Sequence, residues 1–174
     1  RQPYHSTPGT RQDDYMLTVF VGGSGVYVNA AVEIRVVPGM VGLVPPHNVG
    51  VLASDPHDPY SHYYCRFNGA YAKACADTII NRHQSRFFHV STIDAIADCI
   101  RKIGQVYNPE FTSTISMAET YLAQALVLLQ EPSPTAVSPS PRPRCLCVGP
   151  HCRISTWISA STSPRRPPAR GRGR

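Results

Sequence analysis

Hydrophobic and polar positions follow a period of two along the first half of this chain, then a helical period. Residues 15–22 (YMLTVFVG) are β-branched and aromatic, and residues 22–25 (GGSG) form a turn signal tolerant of positive φ. A short strand at 26–28 (VYV) follows, with a two-residue turn predicted at Asn29-Ala30. Residues 31–36 (AVEIRV) alternate apolar and charged side chains, as a half-exposed strand does. PGM then turns the chain into 41–44 (VGLV), and PPHN turns it into 49–53 (VGVLA). A loop, SDPHDP, leads into the stretch PYSHYYCRFNG at 59–69. One face of that strand carries Tyr60, His62, Tyr64 and Arg66, and the other Ser61, Tyr63, Cys65 and Phe67. Short strands at this spacing predict a small barrel or sandwich.

After Gly69 the period lengthens. Residues 70–83 are rich in alanine and predict a helix, and 87–90 (FFHV) one last short strand. Residues 91–104 place Ile93, Ile96, Ala97, Ile100 and Ile103 on one helical face. Ser91 or Thr92 caps it, Asp94 sits in its first turn and Gly104 ends it. Residues 112–130 carry a stripe of Ile115, Ala118, Leu122, Ala125, Leu126 and Leu129. The last turns, ALVLL, are apolar almost all round, so they predict burial on more than one side, against the domain or a partner subunit.

Composition breaks at Glu131. Residues 131–174 hold nine of the 17 prolines, eight arginines and one glutamate, a net +7 that leaves −1 for residues 1–130 of the chain's +6. The basic character therefore says nothing about the folded part. A Pro/Ser/Arg-rich segment buries too little to offset its chain entropy, so 131–174 is expected to be disordered. Cys65, Cys75 and Cys99 are spread through the first part and read as reduced thiols. No run of about 18 apolar residues predicts a membrane span, and no signal peptide is visible. A cytoplasmic protein is expected, although the chain begins with Arg1 rather than Met.

Three motifs in order, RQDDYMLTVFVGGSGVYV, VVPGMVGLVPP and DPYSHYYCRFNG, resemble the sensor domain of AraC-family bacterial transcriptional regulators over about residues 11–130. The resemblance implies a mainly β fold with C-terminal helices: a cupin-like double-stranded β-helix barrel that binds a small effector, often a sugar. It implies homodimerisation through a helix and a separate C-terminal domain with two helix-turn-helix units that binds DNA. Mapped onto this chain, 1–10 are an N-terminal arm and 11–90 the barrel, with an inserted helix near 70–83. Residues 91–130 are a helical dimerisation segment, in which Ile115, Ala118, Leu122, Leu126 and Leu129 face the partner. The tail 131–174 departs from the family. It has no apolar periodicity and a proline every few residues, so it lacks the DNA reader and reads as out-of-frame translation of a GC-rich gene.

Catalysis finds little support. GMVGLVPPHNVG follows the second cupin motif, but the metal histidine would fall at Gly50, and His47 sits in the turn. No histidine lies between Tyr15 and Gly39, so the usual three-ligand site cannot be assembled. No nucleophile elbow, phosphate loop or His-Glu-x-x-His motif is present. Asp13-Asp14 reads as a solvated carboxylate pair, and Cys145, Cys147, His151 and Cys152 lack the spacing of a common zinc fold. No enzyme activity, cofactor, metal or membrane partner is therefore expected.

The face of Tyr60, His62, Tyr64 and Arg66 is the best site candidate, because aromatic rings stack on sugar rings while His and Arg bond hydroxyls or carboxylates. The resemblance aligns His62 and Tyr64 with effector contacts of the family. It adds Arg11 as an arm contact across a gap, and a contact near Leu52 where the apolar residue is unsuited. Two other classes stay open: a stand-alone cupin enzyme such as a sugar isomerase, and a nucleic-acid binder acting through the tail arginines.

Overall fold

The computed structural model describes residues 5–6 and 13–131. Arg11 and the expected disordered tail beyond Glu131 lie outside the described residues. Eight strands come in the order β1 (His5–Ser6), β2 (Tyr15–Gly22), β3 (Gly25–Val28), β4 (Glu33–Val36), β5 (Met40–Val44), β6 (Val51–Ser54), β7 (Ser61–Phe67) and, after a helix, β8 (Phe87–His89). The helices are α1 (Ala70–His83), α2 (Ile93–Val106) and α3 (Thr112–Leu128). Two four-stranded antiparallel sheets form, ordered β1-β6-β3-β4 and β7-β2-β5-β8. A parallel bridge, Ser24 to Pro59, joins the segments that lead into β3 and β7. No ladder closes the two sheets into a barrel among the described residues, so the architecture is two antiparallel sheets followed by helices.

Local chemistry explains most of these boundaries. Gly23 has φ +65, and a Cβ there would run into the Pro59 carbonyl, so the β2–β3 turn needs a glycine. The β3–β4 turn is longer than the predicted two residues. Asn29 Oδ1 accepts from the backbone N–H groups of Ala31 (2.8 Å) and Val32 (2.9 Å), which holds both residues in the turn and delays β4 to Glu33. Gly104 does not stop α2. The helix runs on to Val106 and ends where Tyr107 turns extended (ψ 116), one residue before the Asn108-Pro109 pair.

Two apolar clusters lie on opposite faces of the β7-β2-β5-β8 sheet. Tyr15, Leu17, Val19, Val41, Leu43, Cys65 and Phe67 pack under the helices. Between the sheets lie Phe20, Tyr27, Val36, Met40, Val44, Leu52, Tyr60 and Phe87. The α3 stripe belongs to the first cluster. Ala118, Leu122, Leu126 and Leu129 are 0–1% exposed within one chain, and Ile115 is half-buried. Within one chain their surface is covered by α2 and the rest of the core, where each leucine contributes about 2 kcal/mol. The residues α3 leaves to solvent include Met117, Thr120, Gln124 and Val127.

Candidate functional site

Strand β7 pairs with β2 so that Phe20 opposes His62, Thr18 opposes Tyr64 and Met16 opposes Arg66. Because side chains alternate, His62, Tyr64 and Arg66 share the face that carries Phe20, the face turned toward the second sheet. The register slips between Phe20 and Gly22, leaving Val21 bulged out and 41% exposed directly beside His62. A bulge at that point bends the strand end.

Four rings line up along this face. Tyr60 meets Phe20 edge-on at 5.8 Å and His62 at 5.1 Å, and His62 stacks on Tyr64 at 5.7 Å and 19°. Tyr60 fits there because Gly25 opposite has no side chain; a Cβ at Gly25 would lie 2.7 Å from its ring. His62 is half-buried, and no group among the described residues bonds its buried Nδ1. Burial holds the imidazole below the ordinary histidine value, so it is neutral at pH 7. An orphaned, neutral imidazole nitrogen beside stacked rings offers a ligand one directed hydrogen bond, and leaving it unmade costs about 1–3 kcal/mol.

The chain matches the family model of the AraC-like ligand binding domain over residues 1–133. It belongs to that family. No curated protein matches the chain. Family membership gives this AraC-like domain a ligand-binding role, and the inner face of β7 supplies chemistry suited to it.

Of the residues singled out from the sequence, the AraC-like domain brings Tyr60, His62 and Tyr64 into one row, with Arg66 next along the strand. Leu52 is buried in the apolar cluster facing them. Gly50, where a metal-binding histidine would stand in a cupin motif, faces a filled position: a Cβ there would collide with the Tyr27 hydroxyl. Among the described residues no three of His, Cys, Asp and Glu gather closely enough to hold a metal ion, and no helix is long and apolar enough to cross a membrane.

Sequence reasoning missed a polar network at the edge of the same interior. Asn48 Nδ2 donates to the Tyr27 hydroxyl at 2.6 Å, and Asn29 Nδ2 donates to it at 3.4 Å. Arg86 donates in turn to Asn48 Oδ1, which links β3 to the residue before β8 through the β5–β6 loop. These residues are far apart in sequence, and no local pattern brings them together. Also missed was an open cleft of about 680 Å³ on the helix side of the sheet, lined by Tyr15, His47, Lys73 and Asp77 among others. There the Tyr15 hydroxyl donates to Asp77 at 2.7 Å, and Lys73 donates to Asp77 at 2.9 Å. Burial, helped by the Asp77 bond, raises the Tyr15 phenol, while the Lys73 bond lowers Asp77. The contacts join β2 to α1, on the face opposite His62.

Proposed function

We propose that this AraC-like domain senses a small polyhydroxylated effector, a sugar or sugar acid, held between its sheets. His62 supplies a hydrogen bond to a ligand hydroxyl, Tyr60 and Tyr64 offer ring faces, and Arg66 takes a carboxylate where the ligand has one. The observation that carries this reading is the buried, unbonded His62 Nδ1 within a row of rings on the inner face. The two sheets then act as the halves of a cupin-like barrel, with Arg11 on the arm as a further contact. The domain works as a cytoplasmic, non-enzymatic homodimer and reaches DNA only through a separate unit. Its subunit contact falls on the outward row of α3, where Met117, Thr120, Gln124 and Val127 recur at helical spacing without a charge.

A thermal-shift screen of sugars and sugar acids, run in parallel on the chain and on His62→Phe, tests this. A ligand at 100 times its Kd stabilises the chain by about 2.7 kcal/mol, and the variant is expected to lose most of that. A ligand that stabilises both proteins equally would remove His62 from the site.

A further inference from the structure

Strand β8 carries an aromatic ring on each face of its sheet. Phe87 points between the sheets, where its ring lies 4.5 Å from Tyr27 and 6.4 Å from Phe20. It packs over Gly42 on β5, where a Cβ would lie 2.7 Å from the ring edge. Phe88, the next residue, points to the helix side and stacks flat on His83, centroids 3.8 Å apart and planes within 6°. His83 closes α1, and the Leu129 backbone lies close enough to act on its imidazole. Its Nε2 has no partner among the described residues. Arg82 beside it donates to the Gln130 carbonyl. The last turn of α1 therefore holds the Gln130 carbonyl just past the end of α3 through Arg82, with His83 beside it.

We propose that β8 couples the space between the sheets to the end of α3, with Phe87 as the sensor, Phe88 and His83 as the relay, and the Arg82 contact to the Gln130 carbonyl as the output. Adjacent residues on a strand point to opposite faces, so a ring pushed on one side moves its neighbour on the other. Phe87 is one wall of the interior that also holds Tyr60 and His62, so a ligand seated there bears on it. Phe88 and His83 are parallel plates in contact, and a tilt of one requires the other to follow or the stack to break. Made or released, the contact is the kind of two-arrangement element that a switch needs. A ligand shifts it only by binding one arrangement better than the other. The physiological trigger rests on the effector reading given above, but the coupling belongs to the unliganded chain and can be tested without any ligand.

The test is amide hydrogen exchange by NMR on the full chain, read at Leu129, Gln130 and Glu131, whose N–H groups bond Ala125, Val127 and Leu128 carbonyls. Gly42→Ala forces the Phe87 ring to swing and serves as the probe. It is expected to speed exchange at those three amides about tenfold, while His83→Ala speeds them alone by a similar factor. Gly42→Ala added to His83→Ala should give no further increase, since the relay is already cut. Unchanged exchange at the α3 end despite a shifted Phe87 ring resonance would overturn the coupling, as would fully additive effects in the double variant. Should Gly42→Ala fail to fold, Phe87→Leu perturbs the same wall by removing ring volume and is read by the same criteria. Failure here leaves the sugar screen untouched, and failure of the screen leaves this coupling standing.

Discussion

The two faces of the β7-β2-β5-β8 sheet are built from the same four strands and do different work. On the helix face Leu17, Val19, Val41, Leu43 and Phe67 are fully buried, and helix residues such as Ile96, Ile100, Leu122 and Leu126 cover them. On the inner face stand Met16, Thr18, Phe20, His62, Tyr64 and Arg66, where rings mix with polar groups and, of these six, Thr18 and Phe20 are buried. The helix face is mainly aliphatic, with the unbonded His83 Nε2 set against Phe88 on β8. The other accepts the cost of an unbonded imidazole and stays partly open. The helix face carries most of the stability, and the inner face is the one proposed for recognition.

The sharpest way to break that division is to put charge into each side of α3. Leu126→Asp buries a carboxylate in the helix-face core and should cost more than about 4 kcal/mol, a large share of the stability of any small domain. Far-UV circular dichroism during urea titration would show a largely unfolded chain. Met117→Asp, on the outward row, should keep the fold to within about 0.5 kcal/mol. A Leu126→Asp chain that stays folded and merely becomes monomeric by sedimentation would return that residue to a subunit interface.

A smaller effect follows from the two half-buried histidines, His62 and His83. Burial lowers the value of His62, and burial together with Arg82 lowers that of His83 despite the Leu129 backbone beside it. The unfolded chain therefore binds more protons than the folded one below the ordinary histidine value of 6.5. Stability is fully present above that value and falls as pH drops toward the folded values, with the steepest loss between them. Thermal melts between about pH 7.5 and 5 should show that decline, and it should shrink in His62→Phe. A midpoint that stays flat across this window would mean that neither imidazole is held neutral.

Much of this was legible from residue pattern alone. The order of strands and helices follows period two and then the helical stripes, and the alternation in PYSHYYCRFNG places Tyr60, His62 and Tyr64 together as the structure does. Alternation could not say which face of β7 meets helices and which meets the second sheet; Cys65 and Phe67 answer that only once α1 and α2 are placed. The stripe on α3 was visible, but an apolar stripe reads the same whether its own domain or a second subunit covers it. The Tyr27–Asn48–Arg86 network and the His83–Phe88 stack join residues by fold rather than by spacing. The Asx turn at Asn29 needed only its side-chain oxygen, a local signal that the two-residue turn passed over.

The smallest expected effect tests the inner face most directly. In an ordinary core, replacing a half-buried histidine removes packing or a hydrogen bond and destabilises. His62 Nδ1 makes no bond among the described residues, and its ring is held by Phe20, Tyr60 and Tyr64. Phenylalanine keeps a flat ring in that row and removes the orphaned nitrogen. Replacing an unsatisfied polar group by an apolar one of similar shape is neutral or stabilising, so His62→Phe should change unfolding free energy at pH 7 by no more than a gain of about 1 kcal/mol. Urea titration measures it. A loss of 2 kcal/mol or more, on the order of a broken hydrogen bond to a buried group, would mean that His62 is bonded within the fold. The inner face would then be a second structural core, and the division between the two sides of the sheet would fail.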